Sequence, residues 1–447
     1  MLLEFTPMRK LLALFCGLSI FIYSCATVET NEEGLSNPKF YHDSIQKLSD
    51  VIVYDIFSPP VASRTYVYPN IAAYEVLAAT HQEYNSLSDQ ITGFAPGPQL
   101  NNDEISPAVA ALEAFITTAK HFIFSEPKLH DYQVELYRSL QDQGISKKVF
   151  DNSVEYGKAM AAHVIQYSDS DNYKQTRTFP KYSITDDESK WRPTPPIYMD
   201  GIEPHWREIR PFVLDRSDQF VPPPPTQFDM TEGSKFYSET MEVYDAVKNR
   251  TEETKEIASF WDCNPYVLNI TGHVMNASKK ITPGGHWIGI TALACEKAEA
   301  DLATTIEAYT LTSISIADGF ISCWDEKYRS NLVRPETIIN EYIDEDWVPT
   351  LQTPPFPEHT SGHSVISRAA AVALTSIFGD NFQFDDTVEL AYGLPVRSFD
   401  SFYAASDEAA VSRLYGGIHY RPAIDYGVDQ GDKVGKLILN RLTLKNK

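Results

Sequence analysis

Apolar residues recur every three to four positions along most of the chain, which is the spacing of one face of an α-helix. In residues 40–57 they fall at Ile45, Leu48, Val51, Ile52 and Ile56. The same spacing predicts helices over residues 73–80, 108–124, 132–140 and 149–167. Ser106-Pro107 is typical of a helix start. Since strand-like alternation is rare and short, the pattern predicts an all-α protein, a large helical bundle.

The helical pattern is interrupted from residue 179 to residue 228 by a stretch rich in proline. Its aromatic residues are Tyr182, Trp191, Tyr198, Trp206, Phe212 and Phe220. So many aromatic side chains predict a long ordered loop that packs on the body of the protein, not a flexible linker. We predict a single helical domain over residues 38–447, with a two-domain arrangement that divides near residue 230 as the alternative.

Composition and charge narrow the classes of function. The chain has 447 residues, of which 43% are hydrophobic and 12% aromatic, enough for a large core. Its net charge of −23 argues against nucleic acid as a partner, because the phosphates would be repelled. A small anion held by a few local cations remains compatible. Cys263, Cys295 and Cys323 are scattered and odd in number, which predicts buried thiols with one bridge at most.

Residues 1–24 resemble a secretory signal peptide, with Arg9 and Lys10 before an apolar stretch. This stretch ends in Ile-Tyr-Ser-Cys, which resembles a bacterial lipobox with Cys25 as the lipidated residue; an ordinary cleaved signal is the alternative. Residues 25–37, acidic from 29 to 33, are predicted to form a tether. We therefore expect an exported bacterial protein, in the periplasm or held at the outer membrane as a lipoprotein. No later stretch is long enough to span a membrane.

The first motif with chemical potential is Lys327-Tyr-Arg-Ser-Asn-Leu-Val-Arg334-Pro335. Seven residues make about two helical turns, so we expect the two cations to project from nearly the same face of one helix. Pro335 is expected to end that helix at Arg334. Two surface salt bridges are the alternative interpretation.

The second motif, Ser361-Gly362-His363, precedes an apolar helical stripe. A helix N-terminus carries unpaired N–H groups and a partial positive charge, and so favours an anion. Gly362 would let the anion approach the backbone, and Ser361 can donate a hydrogen bond. Alternatively, Ser361 or Thr360 is simply the helix N-cap.

The third motif is Ser412-Arg413, five residues, then His419. Arg413 shares a helix face with Phe402 and Ala409, so it points inward, and a buried arginine needs an anionic partner. Gly416-Gly417 should end the helix and leave His419 on a loop. A salt-bridged arginine and a hydrogen-bonded core histidine are the alternative.

Taken together, the motifs describe a cage for a tetrahedral oxyanion. The three cations Lys327, Arg334 and Arg413 would neutralise its oxygens, and Ser361 with the Gly362 N–H would add hydrogen bonds. One histidine would bond to the central atom while the other exchanges protons.

In this order and spacing, the motifs resemble the signature shared by vanadium-dependent haloperoxidases and type 2 phosphatidic acid phosphatases. The chain looks most like compact bacterial vanadium iodoperoxidases, with its motifs in residues 316–422. Many members have proline where this chain has Thr360. The resemblance implies a vanadate cofactor, for which phosphate is a near-isostere. It also implies hydrogen peroxide and halide, most readily iodide, as substrates.

By the same resemblance, His419 is the axial ligand to vanadium, His363 handles protons and Lys327 polarises the bound peroxide. In the phosphatase alternative, His419 forms a phosphohistidine and His363 protonates the leaving group. The residues that the resemblance places around the pocket are Phe356, Trp324, Asp325 and Tyr266.

Two further alternatives remain open. A zinc site could use His359, His363 and His419, and a surface-anchored binding protein would need no catalysis. The dipeptides His205-Trp206 and His286-Trp287 could shape the pocket or merely pack, and packing is the prediction. The sequence does not set the oligomeric state, and a monomer is compatible with it.

Overall fold

The computed structural model describes residues 30–101, 104–271 and 274–446. The predicted signal peptide and Cys25 lie outside these residues and remain predictions. Within the described residues, no helix has the length and apolar character needed to cross a membrane.

The regular secondary structure of the described residues is almost entirely helical, which confirms the predicted all-α class. The α-helices are α1 (Glu32–Leu35), α2 (Lys39–Asp55), α3 (Pro59–Thr80), α4 (Pro107–Phe122), α5 (Glu126–Gln141), α6 (Lys147–Asp169), α7 (Tyr173–Thr176), α8 (Lys235–Lys248), α9 (Glu252–Phe260), α10 (Pro283–Lys297), α11 (Leu302–Ser330), α12 (Pro335–Tyr342), α13 (Gly362–Phe378), α14 (Phe402–Tyr415) and α15 (Arg421–Arg441). Short 3₁₀ turns cover Trp206–Glu208 and Val388–Tyr392.

Two short antiparallel strand pairs, which the sequence pattern did not predict, complete the regular secondary structure of the described residues. Strand β1 (Val267–Thr271) pairs with β2 (Val274–Ser278), with Val267 opposite Ser278. Strand β3 (Phe384–Asp386) pairs with β4 (Arg397–Phe399), with Phe384 opposite Phe399.

Helix α3 is much longer than the sequence pattern predicted. Only residues 73–80 were predicted, whereas the helix begins at Pro59 and contains Pro69 in its interior. The helix packs against α4, α6 and α11 and is buried on nearly all sides. A helix that is buried all round has no polar face, so periodicity does not reveal it, and Pro69 looks like a helix end.

The C-terminal half is arranged around the 29-residue helix α11. This helix contacts α3, α10, α13 and α15, while α13 also packs against α14 and α15. The approach of α15 to α13 is close: a Cβ at Gly431 would lie 2.2 Å from the Val365 carbonyl oxygen. Glycine at this position therefore lets the two backbones touch and fixes the position of the N-terminal end of α13.

The proline-rich loop packs on the body, as predicted. Trp191, Trp206 and Phe212 are buried. Asp318 of α11 accepts hydrogen bonds from the backbone N–H groups of Phe212, Val213 and Leu214 at 2.8–3.0 Å. One hydrophobic cluster contains residues from both halves of the chain, from Leu35 to Leu444.

The packed region begins before the predicted domain start at residue 38. The Asn31 N–H donates to the Gln143 carbonyl at 2.8 Å, and Leu35 of α1 is fully buried. The predicted tether of residues 25–37 is therefore too long at its C-terminal end, because its acidic composition conceals one apolar anchor. The three cysteines Cys263, Cys295 and Cys323 are free and buried, as predicted.

Candidate active site

A cavity of about 410 Å³ lies where the proline-rich loop, the start of α3 and the second and third motifs meet, while residues 327–335 of the first motif do not line it. Most of its wall is apolar. The motif residues on the wall are Gly362, His363, Arg413 and His419. Three predicted pocket residues, Tyr266, Trp324 and Phe356, also line the wall.

Lys327 and Arg334 of the first motif lie near each other, but not because they share one helix face, as was predicted. Lys327 lies in the last turn of α11, which ends at Ser330 with Asn331 in the left-handed conformation (φ 52°). The chain then reverses, and Arg334 is the N-cap of α12, with Pro335 in the first position. The prediction of one shared helix face was wrong, because Pro335 begins a helix here instead of ending one.

Lys327 and Arg334 converge behind Phe356 on the cavity wall. The Lys327 Nζ and the Arg334 Cζ lie 5.0 and 5.1 Å from the centroid of the Phe356 ring. Lys327 Nζ donates to the carbonyls of Pro357 and Glu358 at 3.0 and 3.1 Å. Arg334 Nε donates to the Phe356 carbonyl at 2.9 Å. Both cations thus hold the segment that leads into the second motif.

The pKa values of Lys327 and Arg334 are both lowered, because the two cations are buried with too few carboxylates nearby to compensate their charge. Burial, with a smaller contribution from the nearby Arg334, lowers the pKa of Lys327 to about 7. Burial also lowers the pKa of Arg334 to about 10. The protein therefore maintains positive charge here at a cost in free energy, which an anion would offset.

The second motif forms the N-terminus of α13. Ser361 is the N-cap, and its Oγ accepts from the Ser364 N–H at 3.3 Å, so the capping interpretation holds. Gly362 and His363 form the first turn and face the cavity. A Cβ at Gly362 would meet only the Trp324 ring, at 3.6 Å, within 4 Å among the described residues, so glycine keeps the space before the helix open.

Within the described part of the chain, His363 presents an unpaired ring nitrogen to the site. Its Nε2 is buried and has no hydrogen-bond partner among the described residues. Burial, and then the charge of Arg413, hold its pKa well below the usual range, so the ring is neutral near pH 7. Arg413 itself, in the last turn of α14, is buried and its Nη2 donates to the Trp261 carbonyl at 2.7 Å.

The contacts of His419 define which ring nitrogen carries the proton. Its Nε2 lies 3.1 Å from Arg334 Nη1, and its Nδ1 lies 2.8 Å from Glu358 Oε1. Because an arginine only donates, Nε2 must accept, and Nδ1–H donates to the carboxylate. Burial, together with Arg334, holds the pKa of His419 well below its usual range. His419 is thus a neutral imidazole with its lone pair on Nε2.

Glu358 is the functional residue that the sequence interpretation missed. Its Oε1 also accepts from the Tyr420 N–H at 2.9 Å, and its side chain is fully buried. Burial raises its pKa to about 7, while Arg334 and Lys327 oppose the rise. The sequence feature that could have identified Glu358 is its position as the single acidic residue between Phe356 and Ser361.

Two other sequence interpretations do not agree with the structure. Asp325, predicted beside Trp324 in the pocket, does not line the cavity and pairs with Arg329 at 3.1 Å. Consecutive helical residues point about 100° apart, so Trp324 and Asp325 cannot both face it. His359 Nε2 lies 3.2 Å from the Pro223 carbonyl and does not line the cavity, so the zinc site of three histidines is not formed.

We call Lys327, Arg334 and Arg413, together with His363 and His419, the cationic cage. Among the described residues, Glu358 is the carboxylate bonded within it. The Arg334 Nη2 atom, like His363 Nε2, is buried without a partner among those residues. Three buried cations, two orphaned nitrogens and a helix N-terminus together fit a multiply charged oxyanion.

Comparison with known proteins agrees with this chemistry. A crystal structure of a bacterial vanadium-dependent iodoperoxidase has 50% sequence identity and a TM-score of 0.88, and the match covers 92% of this chain and 98% of that chain. The chain belongs to the vanadium haloperoxidase superfamily. The family model described as the second helical-bundle domain of VCPO matches residues 340–445.

More distant members show the same fold. Apo and holo structures of a bacterial vanadium-dependent chloroperoxidase both have 17% identity and a TM-score of 0.66. The matches cover 86% and 92% of this chain, and 94% and 95% of those chains. The comparison with curated proteins gave no match. Membership in the haloperoxidase superfamily implies a vanadate cofactor, and the phosphatase alternative is not favoured.

Proposed function

We propose that this haloperoxidase oxidises iodide with hydrogen peroxide, and that the cationic cage holds its vanadate. The observation that carries this proposal is the convergence of three buried cations on His363 and His419 at the edge of an apolar cavity. The 50% identical iodoperoxidase supports the choice of halide.

We assign each part of the cage a role that its geometry supports. The cations Lys327, Arg334 and Arg413 would neutralise the cofactor's oxygens, and the Gly362 N–H and the Ser361 hydroxyl would add hydrogen bonds. His419 would ligate through Nε2, the nitrogen that carries the lone pair. When bound, vanadate supplies a Lewis acid that activates hydrogen peroxide toward attack by halide.

Proton movements are assigned to side chains that are neutral in this site. His363, held neutral by burial and by Arg413, accepts at Nε2 the proton that hydrogen peroxide must lose. Glu358 keeps the proton of His419 on Nδ1. Nε2, which here accepts from Arg334 Nη1, is thus left unprotonated and able to bond the metal, as in metal-bound histidines with an outer carboxylate.

The character of the cavity favours iodide over smaller halides. The cost of moving an ion from water into a low-dielectric space decreases with its radius, and iodide is larger than bromide or chloride. The wall near the cage is formed by Phe356, Trp324 and Tyr266, with few groups to replace lost water. Iodide is also the most easily oxidised of the three.

The proposal is tested with purified protein reconstituted with orthovanadate. Triiodide formation is followed in hydrogen peroxide with iodide, beside parallel assays with bromide and chloride, and hydrolysis of p-nitrophenyl phosphate is measured without vanadate. We expect iodide oxidation to be fastest. Faster turnover of bromide would contradict the halide preference, and phosphate hydrolysis without any halide oxidation would contradict the function.

The variant His419→Ala tests the assigned ligand. We expect about a thousandfold loss of iodide oxidation and no rise in melting temperature with vanadate. The matched control is His130→Ala, which removes an exposed histidine in α5. Full turnover in His419→Ala would show that another residue is the ligand.

We further propose, from residues 1–25 alone, that the protein is exported and lipidated at Cys25. A bacterial host that expresses the full chain and is fed radiolabelled palmitate should label the wild type but not Cys25→Ser. An unlabelled wild-type protein in the periplasmic fraction would instead indicate an ordinary cleaved signal.

A further inference from the structure

A second buried cluster of reactive side chains lies beside the cage and has no part in the proposed reaction. It consists of Cys263, His286, Asp386 and Glu389, and we call it the His286 cluster. His286, Asp386 and Glu389 are at most 1% exposed, and Cys263 is 1% exposed while it also contributes to the cavity wall. Such an arrangement in a core requires a physical reason, because buried polar groups are costly unless they are satisfied.

Three ligand atoms of the cluster form a compact triangle. Cys263 Sγ and Glu389 Oε1 lie 3.4 and 3.1 Å from His286 Nδ1, and they lie 3.9 Å from each other. Four-coordinate zinc with bonds of 2.0–2.3 Å would separate sulfur, nitrogen and oxygen ligands by about 3.3–3.6 Å. The observed triangle is therefore close to one face of a zinc tetrahedron.

The other side of the imidazole has the partner that metal-bound histidines usually have. His286 Nε2 lies 2.8 Å from Asp386 Oδ2, and Asp386 Oδ1 accepts from the Val388 N–H at 3.0 Å. A carboxylate on the distal nitrogen leaves the lone pair on Nδ1, toward Cys263 and Glu389.

A purely hydrogen-bonded cluster accounts less well for these contacts. In such a cluster the Nδ1–H and the Cys263 thiol would both donate to Glu389 Oε1, the thiol across a long 3.9 Å. Glu389 Oε2 is buried and has no partner among the described residues. A cation would satisfy the sulfur and the carboxylate at once.

We propose that Cys263, His286 and Glu389 bind a divalent cation of the zinc class, with Asp386 orienting the imidazole. The thiolate, imidazole and carboxylate set suits zinc more than magnesium or calcium, which prefer oxygen ligands. Binding releases the thiol proton, and the thiolate and the Glu389 carboxylate balance the charge of the cation.

The zinc site would support the cage through Trp261. The Trp261 ring stacks on His286 with centroids 4.7 Å apart, and its carbonyl accepts the hydrogen bond from Arg413. A cation at the His286 cluster would therefore fix the segment that orients one cation of the cage.

The test measures metal content, which does not depend on enzyme activity. Full-length protein is produced in zinc-supplemented medium, dialysed, and analysed for zinc and vanadium separately. We expect about one zinc per chain in the wild type. The matched control Cys295→Ser, which removes a buried thiol in α10, should keep it, whereas Cys263→Ser should lose it.

Protein produced with cobalt gives a second measurement that does not rely on a variant. The wild type should show thiolate-to-cobalt charge-transfer absorption in the near ultraviolet. If Cys263→Ser fails to fold, this absorption band is the evidence that a cysteine thiolate binds the metal. Wild-type protein without zinc, zinc retained by folded Cys263→Ser, or a cobalt spectrum without the thiolate band would each overturn the proposal. The cluster would then be an imidazolium shared by two carboxylates.

Discussion

The cationic cage and the His286 cluster are two buried sets of charges with opposite imbalance. The cage gathers Lys327, Arg334 and Arg413 around one bonded carboxylate, that of Glu358. The His286 cluster gathers two carboxylates and a thiol around one imidazole. The first has an excess of hydrogen-bond donors and suits an anion, and the second has an excess of acceptors and suits a cation.

The difference shows how one fold can hold both in the same core. Trp261 separates them, with its ring against His286 and its carbonyl bonded to Arg413. Since isolated buried charge is unfavourable, each set persists only where its neighbours or a ligand compensate it. Imbalance of charge is thus a better guide to ligand class than the presence of histidine, which occurs in both.

The largest expected effect comes from removing the central ring of the His286 cluster. His286→Gln leaves Asp386 and Glu389 buried without their shared partner, so we expect a loss of about 3–5 kcal/mol in the free energy of unfolding. The measurement is urea unfolding at pH 7 without vanadate.

Lys327→Met is the contrasting variant in the cage. Its folded-state pKa of about 7 lies below the value near 10.5 of an exposed lysine, so charging Lys327 costs stability at pH 7. Methionine removes that cost but also loses two hydrogen bonds to carbonyls. We expect a net gain of about 1 kcal/mol, together with loss of vanadate-dependent stabilisation. Equal destabilisation by both variants would contradict the opposite imbalance of the two sites.

Local sequence was enough to predict the parts of the cage. The N-cap at Ser361, the helix from Gly362 and the inward-facing Arg413 follow from capping and periodicity, and the structure has them. Helical propensity and spacing act over a few residues, so these features could be read without tertiary structure.

What depended on tertiary packing could not be predicted in the same way. Lys327 and Arg334 meet because the chain reverses at Asn331, whose left-handed conformation no spacing rule indicated. The role of Glu358 depends on contact with His419, 61 residues away along the chain. The His286 cluster likewise joins residues 100 or more positions apart, so packing alone was the expectation for His286.

A smaller effect than that of His286→Gln is expected from neutralising the Glu358 carboxylate in the cage. Glu358→Gln keeps the shape but no longer holds the Nδ1 proton of His419 with a charge, so vanadate affinity should fall by about 10–100-fold. Equilibrium dialysis with orthovanadate measures this. The matched control is Glu75→Gln, a buried carboxylate of α3 that bonds Ser86 and Leu87 instead.

If Glu358 mattered only through its negative charge, its removal would strengthen anion binding. Affinity that rises in Glu358→Gln would therefore contradict the orienting role. Affinity that falls in both Glu358→Gln and Glu75→Gln would indicate a general loss of structure, which circular dichroism would detect.

The smallest expected effect is the pH dependence of anion binding, measured with sulfate because it does not titrate in this range. Lys327, with a pKa of about 7, loses its charge as pH rises, while Glu358, also with a pKa of about 7, gains one. For sulfate, which forms no bond to His419 and so does not need the orienting role of Glu358, both changes weaken binding. From Lys327 alone, the charged fraction falls from about a half at pH 7 to about a tenth at pH 8, so we expect about fivefold weaker binding.

Calorimetric titration with sulfate at constant ionic strength tests this, and Lys327→Gln should retain only the slope due to Glu358. Zinc at the His286 cluster should show the opposite trend, because ligand protons compete with the cation and its affinity rises with pH. Equal sulfate affinity at pH 6.5 and 8.5 would contradict the perturbed charges of the cage. If sulfate affinity falls with pH while zinc affinity rises, the excess of buried cations in the cage and of buried carboxylates in the His286 cluster would each match the charge of the ligand that the site binds.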